Sequence, residues 1–125
     1  MVTTRQSIEQ ARAKYAWDCA NKSKSSEYKA VIDKIPTYIK TNGLMNTLAF
    51  LYSKGNKHGL VFTQIIGWLT DKYGSLSDKK EAFGDKDGQE KFLAYLINDS
   101  TASEQIAITT EILALFNWMR RFVKS

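Results

Sequence analysis

The sequence predicts an all-α protein, a single compact bundle of about six helices. Apolar residues recur at helical spacing along most of the 125-residue chain, whereas the alternation typical of half-buried strands is nearly absent. Short polar or glycine-containing segments separate the apolar stripes, and capping residues precede two of them. Because this length suits one core, we expect residues 1–125 to form a single helical domain.

Two apolar stripes predict the first two helices. The first helix should run from Thr4 to Asn21, with Ser7 and Gln10 as capping residues, and its apolar face contains Ile8, Ala11, Tyr15 and Cys19. After a polar turn, the second stripe contains Tyr28, Val31, Ile32, Ile35 and Ile39. Pro36 lies inside this stripe, so we expect the second helix to kink or restart there. Asn42–Gly43 should end it.

The remaining helices are predicted from shorter patterns. The third contains Leu44, Leu48 and Leu51 and should end in a loop at residues 54–59. The fourth should run from about Leu60 to Tyr73, and residues 74–88 predict a long solvent-exposed loop with room for one helical turn. The fifth contains Phe92, Tyr95 and Leu96. Thr101 and Glu104 form a capping box before the last stripe, which contains Ile108, Ile112, Leu115, Phe116, Met119 and Val123.

The composition excludes several classes of protein. Its 43% hydrophobic and 25% charged residues are typical of a folded globular protein. No apolar run reaches the ~18 residues that span a membrane, and residues 2–10 are too polar for a signal peptide, so we expect a soluble, cytoplasmic protein. The single cysteine, Cys19, has no partner for a disulfide or a zinc site. We expect it in the core, and we expect no metal or cofactor.

No segment carries a catalytic motif. His58 is the only histidine, and a ribonuclease hypothesis would use it as a base with Lys54 or Lys57 steadying phosphate charge. A lone histidine in a predicted loop, without a second acid–base partner, is more typical of an ordinary surface residue. Asp85–Gly88 resembles part of a calcium loop, but the alignment puts Phe83 at the first ligand position. We therefore predict a protein that is not an enzyme.

The positive charge is concentrated in the N-terminal half of the chain. The formal net charge is +5; residues 1–60 carry ten Lys and Arg against four Asp and Glu, and residues 61–125 carry eight against nine. Helical wheels direct six cations outward, away from the apolar stripes: Lys29, Lys34, Lys40, Arg120, Arg121 and Lys124. Lys54 and Lys57 lie at the start of the predicted loop after the third helix. Phosphate contacts need such outward groups at no fixed spacing, which favours binding to a polyanion. The alternative is an ordinary solvated surface.

The tryptophans separate into two kinds. Trp68 and Trp118 flank apolar stripes and are predicted to be core or partly buried interface residues. Trp17 lies almost opposite Tyr15 on the first helix, among polar residues. Three alternatives remain open for Trp17: its ring stacks on a base, it docks a partner protein, or the first helix is buried on two sides. We treat Trp17 as a candidate interface residue.

A series of short motifs runs in a fixed order along nearly the whole chain. The series is Tyr28, Lys34-Ile35-Pro36, Ile39, Asn42-Gly43-Leu44, Leu48-Ala49-Phe50-Leu51, Ser53-Lys54, Trp68-Leu69, Thr110-Glu111, Leu115 and Trp118-Met119-Arg120-Arg121-Phe122. In this order and spacing the motifs resemble the small subunit of the type III-B CRISPR effector, the Cmr complex. None of them is a catalytic signature, so the resemblance rests on their order.

This resemblance implies a non-catalytic, all-helical subunit that serves antiviral defence. Such subunits stack in a short filament beside the backbone subunits that hold the guide RNA, and their basic faces line the groove of the guide–target duplex. The implied partners are the backbone and large subunits, copies of the chain itself, guide RNA and target RNA, without a membrane. Lys34, Lys54, Arg120 and Arg121 match the family pattern as phosphate contacts; surface geometry adds Lys40, Lys57 and Lys124. The alternative is a helical adaptor that binds only protein.

Overall fold

Every regular element in the described part of the chain is a helix. The structure, a computed structural model, describes the backbone of residues 4–124 and the side chains of residues 7–124. The α-helices are α1 Thr4–Lys22, α2 Ser26–Asn42, α3 Leu44–Lys54, α4 Asn56–Leu69, α5 Lys80–Phe83, α6 Gly88–Asn98 and α7 Ala102–Phe122. A 3-10 turn at Ser77–Lys79 leads into α5. The all-α class is confirmed, and the short α5 within the predicted loop 74–88 accounts for the additional helix.

Capping contacts explain where two of the helices begin. The backbone N–H of Tyr28 donates to the Ser25 hydroxyl at 3.0 Å, ahead of α2. At the start of α7, the Glu104 N–H donates to the Thr101 hydroxyl at 3.1 Å, and the Thr101 N–H donates to the Glu104 carboxylate at 2.8 Å. The predicted capping box is therefore confirmed. Ser7 instead lies inside α1, so its predicted capping role is wrong.

The predicted loop between the third and fourth helices and the predicted restart of the second helix are wrong. The loop expected at residues 54–59 shrinks to Gly55, and the positive φ angles of Gly55 (65°) and Asn56 (49°) turn the chain where α4 begins. His58 therefore lies in the first turn of α4 and not in a loop. The second helix does not restart at Pro36, because α2 continues to Asn42. The Pro36 ring is buried, and its packing offsets the missing backbone hydrogen bond. Gly43, with φ of 85°, ends α2 as predicted.

The apolar stripes meet in one cluster of buried side chains. Its largest fully buried members come from α2, α4, α6 and α7: Trp68, Tyr28, Phe62, Phe92 and Phe116. Cys19 is buried at the edge of the same cluster, as predicted.

Over the described residues, none of the helices is both long enough and apolar enough to cross a bilayer.

Helix α7 is the longest element, and two helices pack against its two flanks. On one flank α1 contacts it through Arg12 with Glu111, and through Trp17 with Phe122. Because these contacts advance along both helices in the same direction, α1 and α7 run parallel. On the other flank α7 packs against α2. Helix α2 also packs against α3 and α4, and α4 packs against α6.

Candidate nucleic-acid interface

An open groove lies between α2 and α7. Its volume is about 700 Å³, and its lining residues are Lys29, Asp33, Pro36, Lys40, Leu113, Asn117, Arg120 and Arg121. Four cations face one carboxylate, which leaves an excess of three positive charges. A groove of this kind concentrates positive potential along a surface instead of enclosing a small apolar molecule. We refer to it below as the α2–α7 groove.

Helical periodicity explains why these side chains share the groove. On α2, residues 29, 33, 36 and 40 recur at steps of three and four, so they form one stripe beside the buried face. On α7, Leu113, Asn117, Arg120 and Arg121 form the opposing wall. The two arginines lie in the last turn of α7, where cations also interact favourably with the helix dipole. Both are exposed.

Most of the groove's cations lack a partner. Lys29 donates to Asp33 at 2.7 Å across one turn of α2, and both side chains are partly exposed. A surface pair of this kind contributes only ~0–1 kcal/mol and is readily exchanged for another anion. In the described part of the chain, Lys40, Arg120 and Arg121 form no ion pair. These three cations are therefore available to a ligand.

Arg12 has a different environment. Its guanidinium donates to both carboxylate oxygens of Glu111, at 2.7 and 2.9 Å, and to Glu9 at 2.6 Å. The indole N–H of Trp68 donates to the same Glu111 carboxylate at 2.9 Å. The hydrogen bond to Glu111 is the main reason why the pKa of Arg12 is raised above its usual value. Arg12 therefore joins α1 to α7 and does not offer its charge to solvent.

A second group of basic residues surrounds an aromatic pair where α2, α3 and α4 meet. Tyr38 stacks on Phe50 with ring centroids 4.9 Å apart and planes 18° apart. The Lys54 ammonium lies 5.7 Å from the Phe50 centroid, and the His58 ring meets Phe50 edge-on at 5.4 Å. Partial burial, followed by the charges of Lys54 and Lys34, lowers the pKa of His58 below its usual value. Since this opposes protonation, His58 is predominantly neutral at pH 7.

The structure divides the seven predicted phosphate-contact residues among several places. Three of them line the α2–α7 groove: Lys40, Arg120 and Arg121. Lys34 and Lys54 do not line this groove; Lys54 lies over the Phe50 ring, and the charges of both lysines lower the pKa of His58. Lys57 lines a smaller groove with Glu27, Asn56 and Leu60, and Lys124 is exposed beyond the end of α7. The candidate set omitted Lys29, although its spacing from Lys40 places both residues on one stripe of α2.

Trp17 is 55% exposed, which excludes the alternative that the first helix is buried on two sides. Its ring meets Phe122 edge-on, with centroids 5.2 Å apart. Phe122 in turn stacks with the half-buried Trp118 at 5.8 Å. Trp68 is 1% exposed, in agreement with its predicted core position. The alternatives left for Trp17 are a base and a partner protein.

Other groups with possible reactivity are engaged in packing. The Tyr15 hydroxyl donates to the Gln64 backbone oxygen and the Tyr28 hydroxyl to its side-chain oxygen, each at 2.6 Å. Burial is the largest cause of the raised pKa of both tyrosines. Burial also raises the pKa of the Cys19 thiol to about 11, so it stays protonated at neutral pH. Within the described residues, no three side chains of the metal-binding types are grouped for a metal ion.

Comparison with known proteins gives one family match. A family model described as CRISPR-associated protein (Cas_Cmr5) matches residues 8–125. The matched range includes both walls of the α2–α7 groove and the residues around Phe50. No solved structure is significantly similar to the chain.

Proposed function

The chain belongs to the CRISPR-associated family Cas_Cmr5, the small subunit of type III-B (Cmr) complexes, and on that premise we propose that it holds RNA in the α2–α7 groove. The ligand is the sugar–phosphate backbone of the guide–target duplex. The subunit is non-catalytic, acts in the cytoplasm in antiviral defence, and stacks with copies of itself beside the backbone and large subunits. The family membership confirms the resemblance noted in the sequence motifs.

The observation that carries this proposal is the convergence of three unpaired cations on one groove. Lys40 approaches it from α2, and Arg120 and Arg121 approach it from α7. Cations with no carboxylate partner gain most from a phosphate, because each contact releases condensed counterions from the RNA. The two guanidinium groups also suit bidentate contacts with phosphate oxygens.

The groove favours contacts with the backbone over contacts with bases. Its described lining contains ammonium, guanidinium, carboxamide and aliphatic groups and the carboxylate of Asp33, and it contains no aromatic ring on which a base would stack. Phosphate contacts fix the position of a protein on RNA without reading its sequence. We therefore expect binding that tolerates any sequence and weakens steeply as salt increases.

Charge reversal in the groove tests the proposal. Arg120→Glu with Arg121→Glu should lower the affinity for a short RNA duplex by at least roughly tenfold at low salt. The double variant should stay folded and melt only modestly below the parent protein, because both arginines are exposed and the main loss is their favourable interaction with the α7 dipole. Binding is measured by fluorescence anisotropy across a salt series, and melting by circular dichroism.

Lys72→Glu with Lys86→Glu is the matched control. It changes the net charge by the same amount, and both lysines are exposed outside the α2–α7 groove. Its affinity should stay within about threefold of the parent, since distant surface charges are screened. An equal loss in both double variants would show that only the overall charge matters and would contradict a groove site.

A protein-binding adaptor without RNA contact is the second candidate. Three large apolar side chains favour it, because Ile97 and Ile106 are 69% and 67% exposed and Trp17 is 55% exposed. An adaptor would keep its protein partners after charge reversal at Arg120 and Arg121, and the isolated chain would retain no RNA. Co-purification of the tagged double variant from the native host, with protein and RNA both recorded, distinguishes the two functions.

A further inference from the structure

The α2–α7 groove continues into a second groove at the start of α7. The second groove has a volume of about 370 Å³, and its lining residues are Leu44, Ala102, Gln105, Ile106, Thr109 and Thr110. Helix α2 meets the second half of α7, and Leu44, which follows α2 closely, meets the first half. The two helices therefore run antiparallel, and the two grooves lie in line between them. We refer to the second groove below as the apolar groove.

One stripe of α7 forms a wall of both grooves. At about 100° per residue its members fall within a sector of roughly 80° around the helix axis: Ala102, Ile106, Thr110, Leu113, Asn117 and Arg120. The stripe is uncharged at its start and basic at its end. Ile106 and Arg120 lie about 21 Å apart along the axis. A ligand that follows the whole stripe therefore meets two different chemistries.

The apolar groove offers a phosphate no positive charge, because none of its lining residues is charged. Its polar side chains are also engaged within the protein. Both threonine hydroxyls donate to backbone carbonyls of their own helix, at 2.8 and 2.9 Å, and the Gln105 amide donates to the Ser100 hydroxyl at 3.0 Å. Ile106 is 67% exposed, and Met45, next to Leu44 in the chain, is 42% exposed. This groove therefore suits aliphatic side chains.

We propose that the two grooves together bind an amphipathic helix of a protein partner, with acidic side chains at one end and aliphatic side chains at the other. The carboxylates pair with Lys40, Arg120 and Arg121, and the aliphatic groups cover Ile106. A trough between two antiparallel helices accepts a third helix, and helix-in-groove docking places apolar anchors at helical spacing. An entirely acidic or entirely apolar helix would match only one of the two grooves.

The partner helix and RNA exclude each other, because both use the same three cations. This competition rests on the proposed function, whereas the docking of the helix does not. RNA has no aliphatic groups with which to cover Ile106, so the apolar groove distinguishes the two ligands. A protein carrying such a helix would displace RNA and thereby regulate the subunit.

A synthetic peptide tests the docking of the helix to the full chain. The probe is a fluorescein-labelled, amidated helix of about 20 residues, roughly 30 Å long, with glutamates in its first turns and leucines on the same face of its last turns. One control peptide replaces the glutamates with glutamines, and the other scrambles the leucines around the helix. We expect the parent protein to bind the probe at least about tenfold more tightly than either control at low salt.

Ile106→Asp examines the apolar groove by itself. It should weaken binding of the probe by at least roughly tenfold, because a charge replaces the apolar contact. RNA affinity should stay within about threefold of the parent, since Arg120 lies more than a Debye length away. Ile97→Asp is the matched control, because Ile97 is 69% exposed on α6 and lines neither groove. It should change neither affinity by more than about twofold.

Two results would overturn the inference: equal binding of the probe and the scrambled peptide, or unchanged probe affinity in Ile106→Asp. Displacement of a labelled RNA duplex by unlabelled probe tests the competition, and a probe that binds without displacing RNA would contradict it. If Arg120→Glu with Arg121→Glu weakens binding of the probe but not of RNA, the helix site stands and the proposed function fails. If that variant weakens RNA binding while the parent does not distinguish the peptides, the proposed function stands and the helix site fails.

Discussion

The two flanks of α7 use arginine in opposite ways. On the α1 flank, Arg12 is enclosed by Glu9 and Glu111, and its side chain is 19% exposed. On the α2 flank, Arg120 and Arg121 are exposed and have no carboxylate partner among the described residues. The residue type is the same on both flanks. The position of the carboxylates decides which arginine stabilises the fold and which is free for a ligand.

The largest expected effect is the loss of stability when Glu111 is removed. Glu111→Ala deletes the acceptor for Arg12 and for the Trp68 indole, both of which are partly buried at that point. We expect the free energy of unfolding to fall by about 3 kcal/mol, because the Arg12 guanidinium and the Trp68 indole N–H both lose their acceptor. Urea denaturation measures the change. Arg120→Ala with Arg121→Ala is the reference and should stay within ~0.5 kcal/mol of the parent.

The next effect concerns the salt dependence of RNA binding. Arg120→Ala with Arg121→Ala should lower the affinity by roughly tenfold and reduce the slope of log affinity against log salt by about one to two. Arg12→Met, measured at a temperature where it remains folded, should keep the parent slope. An equal reduction of the slope in both variants would contradict the distinction between the two flanks.

Trp17 offers a smaller test of the α1 flank. Trp17→Ala removes the edge-on contact with Phe122 and should cost about 1 kcal/mol of unfolding free energy. RNA affinity of the isolated chain should not change, because the side chain lies outside the α2–α7 groove. A clear loss of affinity would instead support stacking of Trp17 on a base. Thermal melting and anisotropy on the same samples give both values.

The smallest expected effect comes from a substitution that frees one paired cation of the groove. Asp33→Asn removes the only carboxylate among the groove's lining residues and releases Lys29. We expect RNA binding to tighten by about twofold to fivefold at low salt and the gain to vanish at high salt. Stability should change by less than ~0.5 kcal/mol, since the pair spans one turn of an exposed helix face. Weaker RNA binding by this variant would be the contrary result.

The sequence predicts most of the helices because their apolar periodicity is local. The capping box of Thr101 and Glu104 and the end of α2 at Gly43 depend on neighbouring residues, and both are confirmed. The predicted loop at residues 54–59 is wrong because several polar residues resemble a loop, whereas Gly55 and Asn56, with φ of 65° and 49°, make the turn. Trp17 is exposed because only one face of α1 is covered, which depends on how distant helices pack.

The candidate site was harder to predict than the helices. Helical wheels direct Lys40 and Arg120 outward, but they do not show that α2 and α7 lie side by side and form one groove. They also do not show that Arg12 meets Glu111, which is 99 residues away in the chain. The sequence predicts His58 as a surface residue in a loop, and it does not show that the charges of Lys34 and Lys54, from two other helices, lower the pKa of its side chain. Which distant helices lie side by side depends on tertiary packing, and local sequence patterns do not show it.

The packing of α1 against α7 also determines when this part of the fold can form during synthesis. Helix α1 leaves the ribosome before α7, and helices α2 to α6 lie between them in the chain. Until α7 emerges, Arg12 has no Glu111 to contact and Trp17 has no Phe122. The α1 flank therefore cannot be completed before α7 is made, and its contacts form late in folding.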